Sequence, residues 1–164
     1  MRILGIDPGS RKAGFAIIEC VGRKIHYVAS GPLKFDQIED YKERLHVIYN
    51  VSVEIIKKYS PQEIALESLI YVKNPTSLMK LAQARGAMIA AFGQTHNKRI
   101  FEYSPNLVKS TVTGHGHATK ESMQKGLGLI FGKLDITSFD ESDALGVAAC
   151  HAFHRTSKLT EARL

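Results

Sequence analysis

Four acidic residues, far apart along the chain, constrain its fold most, because each stands at the end of a segment that can aim it at one point. Asp7 closes the apolar run Ile3-Leu4-Gly5-Ile6 and Glu67 closes Ile64-Ala65-Leu66. Asp140 and Asp143, three residues apart, open the last helical segment. Gathering carboxylates in one cleft is unfavourable and raises some of their pKa values. A divalent cation offsets that repulsion. Magnesium takes oxygen ligands, keeps several waters and is held by one or two carboxylates plus substrate phosphate oxygens. Four acids therefore suit two ions, and two ions about 3.5–4 Å apart can activate a water and stabilise a leaving oxygen in phosphodiester cleavage. The chemistry implied is nucleolytic.

Taken singly, each acid has another reading. Asp7-Pro8-Gly9 is an ordinary turn sequence, Glu67 can be a rim charge, and Asp140 with Asp143 can simply complement a helix macrodipole. Only the order is specific: a strand-end Asp, a later strand-end Glu, then an i, i+3 Asp pair on a final helix.

A chain of 164 residues is expected to form one domain, residues 1–154, followed by a frayed polar tail, 155–164. Cys20 and Cys150 lie in apolar contexts without CxxC spacing, as expected of reduced thiols in a cytoplasmic protein. No charged leader precedes the first strand and no apolar run reaches membrane-spanning length, so a soluble, unexported protein without a membrane partner is expected. The net charge of +6 is uneven. Residues 71–133 hold nine Lys or Arg against Glu102 and Glu121, while the rest of the chain is nearly balanced. A local basic excess is either a solvated face or the footprint of nucleic acid binding.

The spacing predicts three antiparallel strands over residues 2–7, 13–20 and 23–31. An amphipathic helix over 39–59 follows, carrying Leu45, Ile48, Ser52 and Ile55 at helical period, and then a strand over 63–67. Asn74-Pro75 starts a helix to about residue 92 with Leu78, Leu81, Ala82, Ile89 and Phe92 on its apolar side. A strand near 99–102, a helix over 105–111 begun by Ser104-Pro105, a helix over 120–131 capped by Thr119 and a last helix over 140–154 complete the chain. The loop Thr113-Gly114-His115-Gly116-His117 is too glycine-rich to be regular. The result is an α/β fold with a mixed sheet. If the first and fourth strands lie side by side in parallel, Asp7 and Glu67 emerge at one edge, across which the last helix must lie. His115 with His117, and His151 with His154 beside Cys150, lack the four-ligand spacing of a structural zinc site.

At this point the chain resembles the RuvC family of bacterial Holliday junction resolvases, in the RNase H-like (retroviral integrase) superfamily. The resemblance rests on Ile3-Leu4-Gly5-Ile6-Asp7-Pro8-Gly9-Ser10, Ala65-Leu66-Glu67, Leu81-Ala82-Gln83-Ala84-Arg85-Gly86, Val108-Lys109 with Thr113-Gly114 and Lys120, and Asp140-Glu141-Ser142-Asp143-Ala144-Leu145. It implies an RNase H-like five-stranded sheet, three antiparallel strands then two parallel, flanked by helices. It implies that Asp7, Glu67, Asp140 and Asp143 bind two Mg2+ ions, with Mn2+ able to substitute, and that Lys109 and Lys120 act near the scissile phosphate. Contacts to four-way junction DNA are expected at Ile70, Tyr71, Lys73, Lys80, Arg85, Lys109, Gly114, Gly116 and Lys120. Family members often have an aromatic residue where Ile70 stands, so the wedge that opens the junction falls to Ile70 or to Tyr71. The resemblance further implies a homodimer, symmetric nicking that leaves 5′-phosphate and 3′-hydroxyl ends, and work alongside the RuvA and RuvB branch-migration proteins. The helix over 76–92 is the expected dimer face, with Ala82, Ala84, Gly86, Ala87, Ala90 and Ala91 permitting close approach and Leu78, Leu81 and Met88 adding apolar area. Three other functions fit parts of the pattern: an RNase H-like nuclease on RNA, an actin-like phosphotransferase, which would need two such halves, and a non-catalytic junction-binding protein.

Overall fold

The computed structural model describes residues 1–69 and 74–161, with side chains through residue 155 at the C-terminal end. Ten elements follow in the order β1 (Arg2–Asp7), β2 (Lys12–Val21), β3 (Lys24–Lys34), α1 (Tyr41–Tyr59), β4 (Glu63–Glu67), α2 (Pro75–His96), β5 (Ile100–Tyr103), α3 (Pro105–Thr113), α4 (Lys120–Phe131) and α5 (Phe139–Glu161). The five strands form one sheet in the order β3-β2-β1-β4-β5. β1, β2 and β3 pair antiparallel, while β4 pairs parallel with β1 and β5 parallel with β4. This is the mixed sheet expected from the sequence.

Side-chain alternation along a strand sorts the residues between two cores. Ile3, Ala16, Ile18 and Ala65 face the layer of α3, α4 and α5. Leu4, Ile6, Ile17, Ile64 and Leu66 face α1 and α2. These strand side chains are at most 1% exposed, and β1 and β4 are buried on both faces. The same alternation puts Gly5 and Asp7 of β1, with Ala65 and Glu67 of β4, on the face that α5 covers. Because Ile6 pairs with Leu66, Asp7 and Glu67 leave adjacent strands at the same edge.

Helix starts follow from local chemistry. Asp40, Asn74, Ser104 and Thr119 each accept a hydrogen bond from a backbone N–H of the first turn, and Pro75 and Pro105 occupy positions where no N–H is needed. Helix ends depart from expectation. α2 continues to His96, and the backbone of α5 stays helical to Glu161, where a frayed tail was expected. Nothing between 155 and 161 is Gly or Pro, so no residue there stops a helix.

The inner face of α2 also differs. Ala84, Met88, Ala91, Phe92 and His96 are buried, while Ala82 is exposed and Leu78, Leu81 and Ile89 are only half-buried. Alanines and glycines occupy about half of this helix's circumference beside its large apolar residues, so the sequence does not fix where the buried face ends. Packing against α1 chose the stripe containing Met88 and Phe92.

Candidate active site

Two glycines let α5 reach the sheet. A Cβ at Gly14 of β2 would lie 1.8 Å from the backbone oxygen of Asp140, and one at Gly5 of β1 would lie 2.3 Å from that of Ala144. The helix backbone therefore rests directly on strand backbone. α5 crosses from β2 at its N-terminus, over β1, to β4, where His151 and Arg155 both meet Glu63. The i, i+3 spacing puts Asp140 and Asp143 on one side of the helix, and Gly14 pairs with Asp7, so this side arrives beside the tip of β1.

The four acids come together electrostatically. Burial, followed by the charges of Glu67, Asp143 and Asp140, pushes the carboxyl of Asp7 up to about 8, and Asp7 shares a hydrogen bond with Glu67. Burial also raises Glu67, reinforced by Asp143 and eased by Asp7 and Lys109. Asp143 is raised by burial and by Asp140, and is relieved by Lys120 and Lys109. Both lysines thus act on these carboxylates, Lys109 from half-buried α3 and Lys120 from the start of α4. Lys120 Nζ stands 3.9 Å above the Phe139 ring, which joins the beginnings of α4 and α5.

Among the described residues, no three His, Cys, Asp or Glu side chains stand close enough to hold an ion as they are. The donor chemistry nevertheless fits a hard divalent cation. All four groups are carboxylates, and burial together with mutual repulsion raises Asp7, Glu67 and Asp143, as expected of acids gathered without a balancing cation. Magnesium needs only one or two of them beside waters and phosphate oxygens.

Glu141 is a positioning residue that the sequence reading passed over, although it stands between the two aspartates. It is 4% exposed. Its carboxylate accepts from Ser30 Oγ of β3 at 2.6 Å and from Thr137 N at 2.8 Å, while its own N–H donates to Ser138 Oγ. Burial opposes its ionisation, but these hydrogen bonds prevail and hold it below the usual carboxylate range. The start of α5 is thereby tied to the sheet.

At its other end α5 is held by a buried polar chain. His151 is kept below its ordinary pKa of 6.5, by burial first, so it is neutral at pH 7. It donates from Nε2 to Glu63 at 2.8 Å and accepts at Nδ1 from the Tyr103 hydroxyl at 2.7 Å. Burial disfavours a charged Glu63, but bonds from Arg155 and His151 outweigh it and hold its pKa below 4.5. Both groups bind protons more readily in the unfolded chain, so both lose stability as pH falls, His151 from about 6.5 and Glu63 from about 4.5. His151→Ala leaves the Tyr103 hydroxyl without its acceptor, reduces Glu63 to its bond from Arg155, opens a cavity, and is expected to lower stability by about 2–4 kcal/mol. Thermal melts at pH 8 and pH 5.5 check this: the wild type should lose more than the variant on acidification, and parallel losses would remove His151 from the linkage.

The other sequence-predicted contacts are dispersed. Lys80 is exposed on α2, its Nζ 5.7 Å from the Tyr41 ring. Arg85 is ion-paired to Glu102 of β5 at 2.7 Å. Gly114 ends α3 in the left-handed conformation, φ 82°, which accounts for a glycine there, and Gly116 lies in the following loop beside Asn106. His115 bonds back to Thr113 within that loop. Ile70, Tyr71 and Lys73 lie outside the described residues. No helix among the described residues is long and apolar enough to cross a membrane.

With this geometry in view, the family described as crossover junction endodeoxyribonuclease RuvC matches residues 3–151. The chain is 42% identical over 152 residues to the crossover junction endodeoxyribonuclease RuvC of Geobacter metallireducens, covering 93% of this chain and 92% of that one. Among solved structures, T. thermophilus RuvC in complex with Holliday junction substrate gives a TM-score of 0.87 at 27% identity, covering 96% of each chain. The yeast mitochondrial Holliday junction resolvase, with a TM-score of 0.67 at 14% identity over 99% of this chain and 84% of the other, shares the fold.

Proposed function

The chain belongs to the RuvC family of crossover junction endodeoxyribonucleases, and from that premise we infer that Asp7, Glu67, Asp140 and Asp143 carry its chemistry. The protein is a Holliday junction resolvase of RNase H-like fold, and nucleases of this family depend on a divalent metal. Magnesium is the expected ion, two per site with manganese able to substitute, since the donors are carboxylate oxygens. One observation carries the inference: carboxyls from β1, β4 and α5 meet at one sheet edge, where burial first and then the charges of Glu67, Asp143 and Asp140 push Asp7 up to about 8.

When bound, such ions supply Lewis acidity, easing deprotonation of an attacking water and neutralising charge on the leaving 3′ oxygen. The chain's own groups do the rest. Asp7 and Glu67, at the same edge of adjacent strands, would be the first two carboxylate donors to the cations. Asp140 and Asp143 complete the donor set from a helix whose position the sheet dictates. Lys109 and Lys120 direct ammonium charge at the same point, where it opposes the negative charge growing on the phosphate. The expected ends are a 5′-phosphate and a 3′-hydroxyl.

Symmetric nicking of a four-way junction calls for a two-fold dimer. With Ala84, Met88 and Ala91 inside the protomer, the dimer face reduces to the outward stripe of α2: Met79, 63% exposed, with Ala82, Gly86 and Ala90. Ile70, or Tyr71 beside it, is proposed to wedge between bases at the crossover. Cooperation with RuvA and RuvB, and cutting at a short thymine-containing sequence, are inferences from the family alone.

The test is magnesium-dependent cutting of a synthetic mobile four-way junction, run beside an RNA–DNA hybrid duplex, with sedimentation at micromolar concentration. A dimer that nicks opposing junction strands is expected. Preference for the hybrid would overturn the substrate, and a monomer with and without junction would overturn the dimer.

A further inference from the structure

Beside the acids lies a basic cleft to which the electrically balanced part of the chain contributes two lysines, Lys12 and Lys34. Lys12 begins β2 and Lys34 ends β3; both are exposed and they are direct cross-strand partners. Like charges set opposite each other in a sheet are destabilising. Neither lysine has an acidic partner within ion-pair distance among the described residues. The two line an open cleft of about 870 Å³, its mouth included, together with Lys120, Phe139 and Asp140. Phe139 opens α5 with 52% of its surface exposed, an unusual setting for a phenylalanine next to a carboxylate site.

We propose that this cleft is a nucleotide subsite: Lys12 and Lys34 hold a backbone phosphate next to the one being cut, and Phe139 stacks on an unpaired base of the same strand. Three features favour this occupant. Cross-strand lysines without an acid are relieved by an anion between them. A phenylalanine ring beside them offers a surface that any base can stack on. Asp140 forms part of the cleft wall, so a strand lying here continues into the site of the four acids. Lys120 covers one face of the ring at 3.9 Å and leaves the exposed remainder for the base. The same strand thus meets phosphate contacts, a stacking platform and the reacting centre in succession. The proposal rests on the resolvase reading and names how that site takes its strand.

The experiment measures junction binding without metal across a range of salt, and cutting with magnesium, for the wild type, Lys12→Ala/Lys34→Ala, Phe139→Ala and Phe139→Trp. Removing the contact to that phosphate should flatten the slope of log affinity against log salt by about 0.7–0.9. Phe139→Ala should bind about tenfold more weakly, with Phe139→Trp restoring affinity, as stacking requires. All substitutions are at exposed positions, and melting curves verify folding. A double variant with wild-type affinity and slope would overturn the subsite. So would a Phe139→Ala variant that loses cutting at unchanged affinity, for the ring would then serve only to seat Lys120. A wild type that neither binds nor cuts junctions would instead bring down the resolvase reading.

Discussion

Asp7→Asn is expected to reduce cutting of a four-way junction by at least about a thousandfold while leaving junction binding within a few-fold of wild type. Asparagine keeps the size and shape of the side chain, so β1 and its pairing with Gly14 are undisturbed. It removes the carboxyl at the centre of the cluster that can ionise to balance a bound cation. Asp7 is the group whose proton affinity responds to Glu67, Asp143 and Asp140 together, so it is the carboxylate that the other three crowd. Loss of its charge therefore weakens cation binding more than loss of a peripheral acid would. Magnesium should raise the melting temperature of the wild type, as a ligand of the folded state must, and should raise that of the variant less. Full cutting by Asp7→Asn would show that the acid cluster is not the reacting centre.

Gly14→Ala is the second large effect, and it acts through the backbone. An added methyl would stand 1.8 Å from the carbonyl oxygen of Asp140 and 2.2 Å from its carbonyl carbon, where ordinary contacts are nearly twice as long. Strand β2 is internal and pairs on both sides, so the helix must give way. Its first turn, held by Glu141 to Ser30 and Thr137, would shift and carry Asp140 with it. Misplacement of a catalytic group by about 1 Å can cost about a hundredfold in rate, and that loss in cutting is expected here. Overpacking should lower stability by about 1–3 kcal/mol. Melting and junction binding distinguish displacement from unfolding: a folded variant that binds the junction yet cuts like wild type would mean that α5 tolerates lifting from the sheet.

Much of the architecture was legible because its signals are local. Strand β4 and helix α4 lie where their patterns put them, and Asp40, Asn74, Ser104 and Thr119 cap helices as short polar side chains do. The acids were legible for the same reason, each closing or opening an element. Arg85, grouped with the DNA contacts, is engaged by Glu102 across two elements separated in sequence. Lys12 and Lys34, left in the balanced remainder of the chain, meet only because β2 and β3 pair in one register. The buried face of α2 was placed off-centre because alanine and glycine carry its apolar side round about half the circumference, leaving hydrophobic periodicity with little contrast at the border.

The sequence by itself determined which segments become strands and helices, where they begin, and that four acids stand at their ends. These are properties of a few neighbouring residues: side-chain alternation, helix caps and turn chemistry. Only the tertiary structure decided that Gly5 and Gly14 would admit α5 to backbone contact, that Glu141 would be a buried anchor and not a ligand, and that two distant lysines would share a cleft with Phe139. The reason is physical. Packing selects one face of each element against partners far away in the chain, and no window of sequence contains both sides of that contact.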